Sequence, residues 1–100
     1  MIYEFSTSMT VTAAGISQST LKMRGGIARQ FLVRAATDTT VFRASLADSN
    51  GDIRRTYDFH QGEIVDDTIQ LPVQSTYTIS ITNASRTDVF KIILGVDEAR

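Results

Sequence analysis

The chain has 100 residues, 42% of them hydrophobic, and a formal net charge of −1 from 11 acidic and 10 basic side chains. A chain this short makes one domain with a single core, and near-neutral charge gives no global pull toward nucleic acid or anionic lipid. Cysteine is absent, which excludes a disulfide frame, a thiolate nucleophile and a zinc–thiolate site; no apolar run is long enough to cross a membrane as a helix.

Thirteen Thr, ten Ile and seven Val make 30 of the 100 residues β-branched. Such side chains are stiff at χ1 and suit a pleated surface. Only one proline is present, Pro72, so turns fall to Gly, Asn, Asp and Ser. In chain order, Ile2 to Ala13 carries Tyr3, Phe5, Met9, Val11 and Ala13 at alternate positions among serines and threonines, and Ala14-Gly15 breaks it. Its start lacks the basic residues and apolar run of a signal peptide, which with the missing cysteines fits synthesis in a reducing cytoplasm. Ser17 to Arg24 alternates weakly before a turn at Gly25-Gly26. Ile27 to Ala36 is apolar on both faces, Phe31 and Val33 on one and Leu32 with the stem of Arg34 on the other. That pattern suits a central strand or a strand beneath a neighbouring subunit.

Thr40 to Ala47 points Phe42, Ala44 and Leu46 inward, and Asn50-Gly51 turns the chain into a return strand holding Ile53, Tyr57 and Phe59. His60-Gln61-Gly62 turns again. Thr68 to Val73 presents Ile69, Leu71 and Val73, with Pro72 confining it to a sheet edge. Two last strands, one holding Tyr77, Ile79 and Ile81 and the other Phe90, Ile92, Leu94 and Val96, read as a hairpin about Asn83-Ala84-Ser85-Arg86. About eight short strands with a turn signal after each predict an all-β, antiparallel β-sandwich or jelly roll over residues 1–100.

Candidate chemistry is sparse. His60 is the only histidine, and no G-x-S-x-G accompanies it. Asp48, Asn50 and Asp52 begin like a calcium loop, but Gly51 falls at the fourth position and Phe59 at the twelfth, so the spacing fails. Adjacent residues on a strand point to opposite faces, so Asp66 and Asp67 do not flank one sugar bond there, and the pair reads as a solvated turn. Arg24, Arg29, Arg34, Arg43, Arg54 and Arg55 are interleaved with Asp38, Asp48, Asp52 and Asp58, which cancels a basic groove, and tryptophan is lacking for base stacking. Eight of the ten basic residues are Arg; arginine is enriched and lysine depleted at protein interfaces. The residues therefore predict no enzyme, no cofactor and no metal site.

The run Ile69-Gln70-Leu71-Pro72 followed by Thr76-Tyr77-Thr78-Ile79-Ser80-Ile81-Thr82-Asn83 resembles a phrase of small secreted and viral β-sandwich domains. There a leucine–proline turn leads into a Gly-Thr-Tyr strand; Ser75 stands here in place of the glycine. In size, in its lack of Cys and Trp, in its Ser/Thr-rich start and in its short strands, the whole chain is similar to the small β-sandwich virion proteins of tailed bacteriophages, of the capsid decoration (cement) type. That resemblance implies a non-enzymatic protein of the virion, made in the host cytoplasm and seated on or between capsid or tail subunits, often as a trimer.

On that reading, residues 1–13 form an extended arm adding a strand to a neighbour's sheet edge, with Tyr3, Phe5, Met9 and Val11 as anchors and Arg29, Arg34 and Arg43 as ion-pair partners. An ordinary first strand is the competing reading of the same residues. The alternative function is a ligand-binding β-sandwich module for a glycan or metal in adhesion, which needs Tyr57, His60, Asp66 and Asp67 clustered and exposed. A cupin-like hydrolase or isomerase is disfavoured by the lone histidine.

Overall fold

A computed structural model describes residues 2–13, 15–22, 26–73 and 76–98. Among these residues nine strands occur: β1 (Ile2–Val11), β2 (Ile16–Lys22), β3 (Gly26–Ala35), β4 (Val41–Ala47), β5 (Ile53–Gln61), β6 (Glu63–Asp66), β7 (Leu71–Val73), β8 (Thr76–Thr82) and β9 (Asp88–Glu98). No helix occurs among the described residues. The first sheet runs β1-β9-β3-β6, with β7 also on β3, and the second runs β2-β8-β4-β5. Every pairing is antiparallel.

The pairs nest: β4 with β5, β3 with β6 and β7, β2 with β8, and β1 with β9. The chain is thus one long antiparallel ribbon whose tip is the β4–β5 turn. Rolling that ribbon sets β9 against β3 and β8 against β4, and the result is a jelly roll. The strands β6 and β7 pair with two stretches of one edge of β3, so nine strands fill eight places.

Alternation decides the core. Phe42, Ala44 and Leu46 of β4, Tyr77, Ile79 and Ile81 of β8, Phe90, Ile92, Leu94 and Val96 of β9, and Ala28, Phe31 and Val33 of β3 are all buried. Each large apolar side chain there contributes roughly 1.5–3 kcal/mol. Phe42 and Phe90 meet edge to face at 4.8 Å and join the two sheets.

Turn chemistry fixes the tip. Gly51 has φ 85°, its N–H donates to Asp48 O at 3.0 Å, and Asp48 N–H donates to Asp52 O at 3.0 Å. The expected Asn50-Gly51 turn is therefore a type I turn closed by a left-handed glycine, a standard three-residue hairpin loop. At the β5–β6 corner Gly62 has φ 80°; its N–H donates to Thr40 O at 2.8 Å and its carbonyl accepts from Ala35 N–H at 2.8 Å.

Three sequence expectations are corrected. First, β8 and β9 are not a hairpin: they lie in different sheets, and the linker crosses between them, with Ala84 buried and Ser85 N–H donating to Val41 O at 2.8 Å. Second, Asp66, read as part of a solvated turn, closes a strand, Glu63–Asp66, that the sequence reading did not place. Third, the apolar residues of the return strand do not share a face: Tyr57 packs on the core, whereas Ile53 and Phe59 are exposed. The register skips between Phe42↔His60 and Ala44↔Tyr57, so Asp58 and Phe59 both oppose Arg43 in a β-bulge, and the bulge turns the ring outward. The Pro72 strand does lie at a sheet edge, opposite Ile27, where a missing N–H is tolerated. Of the turn expected at Gly25-Gly26, Gly25 lies outside the described residues and Gly26 opens β3.

Candidate interaction surfaces

Three carboxylates, Asp48, Asp66 and Asp88, are engaged in holding turns. The buried Asp48 carboxylate accepts from Asn50 N–H at 2.9 Å, from Asp52 N–H at 3.1 Å, and from Arg54 Nε and Nη2 at 2.8 Å each. Burial pushes its pKa up, but these donors outweigh that and hold it below the ordinary value. The buried Asp88 accepts from Thr40 Oγ1 at 2.8 Å, Thr37 N–H at 3.0 Å and Val89 N–H at 2.8 Å, with the same net direction. Asp66 accepts from Thr68 Oγ1 at 2.6 Å, Thr68 N–H at 3.0 Å and Tyr57 OH at 2.8 Å, and its pKa also ends lowered. His60 is exposed, with Nδ1 at 2.7 Å from Asp58 O. Of the four residues a ligand module needs, only half-buried Tyr57 and Asp66 meet. Among the described residues no three His, Asp or Glu converge as a metal site.

What the fold does build is two faces. On the outer face of the second sheet the register aligns Ile16, Thr82, Arg43 and the Asp58-Phe59 bulge; then Gln18, Ser80, Ser45 and Thr56; then Thr20, Thr78, Ala47 and Ile53. Gln18 donates to Ser80 Oγ at 3.1 Å, and the Thr20 and Thr78 hydroxyls lie 3.3 Å apart. This small-residue floor is flanked by Ile16 (73% exposed), Phe59 (58%) and Ile53 (65%). Arg43 Nη2 is 3.1 Å from Asp58 Oδ1, and its guanidinium carbon sits 5.4 Å from the Phe59 ring centroid. The bulge creates this cluster, because two consecutive β5 residues face one β4 residue.

On the outer face of the first sheet, Ser6, Ile93, Leu32 and Val65 form one row across four strands. Two residues along β9 on one side lie Ser8, Lys91, Arg34 and Glu63; on the other lie Glu4, Gly95 and Gln30. Arg34 Nε and Nη2 are each 3.1 Å from Glu63 Oε2, and Arg29 Nε is 3.7 Å from Asp97 Oδ2.

The seven residues expected at a partner interface do not come together. Val11 is fully buried and Met9 packs against the core, so Val11 is corrected from interface anchor to core residue: its place on β1 faces the second sheet. The side chains of Tyr3 and Phe5 lie outside the described residues; their backbones pair with Val96 and Leu94 of the same chain. Arg29 and Arg34 sit on the first sheet and Arg43 on the second. Sequence reasoning missed Ile16, Phe59 and Ile53 as surface groups. The only available signal was their isolation among polar neighbours, as in Gly15-Ile16-Ser17 and Asp52-Ile53-Arg54.

No protein-family model and no curated protein matches the chain in sequence. Among solved structures it is similar to the Yersinia pseudotuberculosis-derived mitogen, with TM-score 0.61 and 12% identity over 100% of this chain and 91% of that one. It is also similar to Aeromonas hydrophila PliG, a periplasmic inhibitor of g-type lysozyme, with TM-score 0.54 and 12% identity over 94% and 86%. The similarity to PirA has TM-score 0.51 and 12% identity over 89% and 91%. At such identity the likeness shows a shared all-β fold and leaves function to be argued.

Proposed function

We propose that the chain is a non-enzymatic structural protein of a phage particle that binds a capsid or tail subunit through the outer face of its second sheet, and binds copies of itself. Viral capsid domains, lectins and cupins all use the jelly roll, so the fold leaves the choice open and the surface has to make it. The observation that carries the reading is the Arg43–Asp58–Phe59 cluster, exposed beside Ile16 and Ile53 on a floor of Ser, Thr and Ala. An exposed aromatic ring and an arginine are the residue types that dominate protein-interface energetics. A small-residue floor lets a partner approach without displacing long side chains.

The adhesion-module alternative has less support, since the Tyr57 hydroxyl is committed to Asp66 and His60 does not join them. The test is co-sedimentation of the purified protein with capsids or tails that lack it. Wild type should pellet with the particles. Phe59→Ser and Arg43→Ala should each weaken binding by roughly tenfold or more, with unchanged melting temperature. A wild type that never pellets with particles, or variants that pellet equally well, would sink the proposal.

A further inference from the structure

The outer face of the first sheet is the second place where apolar groups are left in water. Val65 is 60% exposed, Leu32 and Ile93 are only partly covered, and the three lie side by side in one row. The charges flanking that row are unequal in their commitments. Arg34 is held by Glu63 and Arg29 by Asp97. Lys91 and Glu4 are exposed and make no ion pair among the described residues. They stand on opposite sides of the row. Lys91 is two residues from Ile93 in one direction along β9, and Glu4 pairs with Gly95, two residues in the other. Each offset is about 7 Å, and Glu4 lies one strand spacing, about 4.8 Å, to the side of Gly95.

A two-fold axis laid in the plane of this face, along the row, exchanges the two sides. It stacks Ile93, Leu32 and Val65 on their own copies and sets Lys91 opposite Gly95 of the other copy. The neighbour of Gly95 on β1 is Glu4, within reach of a lysine side chain. Gln30, whose Oε1 is 3.0 Å from where a Cβ on Gly95 would sit, offers the same ammonium a second acceptor. A two-fold contact must be self-complementary, and a face whose described residues place an unpaired cation and an unpaired anion at mirror offsets from an apolar row meets that condition. Aligned sheets pack this way at a separation of about 10 Å.

We propose that two copies of the chain pair through the outer face of the first sheet about this two-fold axis, Lys91 of each copy meeting Glu4 of the other. This rests on the reading of the chain as a self-associating structural protein and names the surface that associates. The opposite face, with Arg43 and Phe59, stays free for the particle.

Sedimentation equilibrium tests it. Wild type should behave as a concentration-dependent dimer. Lys91→Glu and Glu4→Lys, both at exposed positions, should each weaken dimerisation roughly tenfold or more, because each places like charges together twice. An equimolar mixture of the two variants should recover wild-type affinity. In the mixed dimer the two exchanged side chains face each other with opposite charge at one contact, and native Lys91 meets native Glu4 at the other. A merely structural role for either residue gives no such recovery. Val65→Glu should be monomeric with an unchanged circular dichroism spectrum. A wild type that stays monomeric, a trimer, swap variants that dimerise normally, or a mixture that fails to recover would each overturn the pairing. Particle binding is scored separately. A monomer that still pellets with particles refutes this pairing alone, and a dimer that ignores particles refutes the particle role alone.

Discussion

Tyr57 of β5 and Asp66 at the end of β6 tie the two sheets together: the phenol donates to Asp66 Oδ2 at 2.8 Å, while its ring stacks on Phe31 at 5.3 Å between centroids. Phe31 belongs to the first sheet and Tyr57 to the second, so one side chain bridges the seam by packing and by a charge-assisted bond. Burial, then the bond to Asp66 and its negative charge, push the phenol well above its ordinary pKa.

Tyr57→Phe keeps the stack and loses the bond. We expect a loss of about 1 kcal/mol, read as a lower denaturation midpoint at constant m-value. Because the folded phenol titrates above the unfolded one, its contribution is complete below pH 10 and disappears as pH rises further. The variant's deficit should therefore vanish in strong alkali.

Acid acts through the three hydrogen-bonded carboxylates. Asp48, Asp66 and Asp88 all have folded pKa values below the ordinary 3.8. The unfolded chain then binds more protons in acid, so stability is present above pH 3.8 and falls as pH drops below it. Melting temperature measured from pH 7 to 2 should be flat and then decline. Asp88→Asn should cost about 2 kcal/mol at pH 7, since three donors rely on that carboxylate, and the gap to wild type should narrow in acid.

Two glycines share a left-handed backbone but differ in surroundings. A Cβ on Gly62 would meet Asp38 O at 2.7 Å, whereas one on Gly51 would meet nothing within 4 Å. Gly51→Ala should cost about 1 kcal/mol, from backbone conformation alone. Gly62→Ala should cost at least about 2 kcal/mol, because the corner must also shift. Equal losses in urea melts would refute the distinction.

Packing should dominate over surface charge. Phe42→Ala removes a fully buried ring from between the sheets and should cost about 3–5 kcal/mol. Arg34→Ala breaks an exposed pair with Glu63 and should cost less than about 0.5 kcal/mol. Urea denaturation of both variants checks the contrast.

Period-two patterning was enough to place the strands holding Phe42, Tyr77 and Phe90 and to point their side chains, because each of those strands has one buried face. Asn50-Gly51 located the one local hairpin, because turn chemistry is short-range. Pairing between distant strands leaves no local mark. The alternation of Tyr77 to Ile81 and Phe90 to Val96 reads the same whether the two strands are neighbours or lie in opposite sheets. The bulge at Asp58-Phe59 was hidden too, because an extra residue shifts parity without a Gly or Pro to announce it. The surface cluster on Arg43 follows from that bulge and was therefore out of reach. Val11 misled for the opposite reason: its alternation was read correctly, but alternation does not say whose core a side chain enters.

The nesting of the strand pairs also orders the events of folding. The β4–β5 tip closes the shortest loop, the β3 pairs enclose it, and β1 with β9 spans the longest stretch of chain. Closing entropy rises with each enclosing pair, so the ribbon zips from its tip and the outermost pair docks last. Until β9 has been synthesised, β1 has no partner, and a nascent chain waits with its first strand bare; that interval is when two chains held close together can trade first strands.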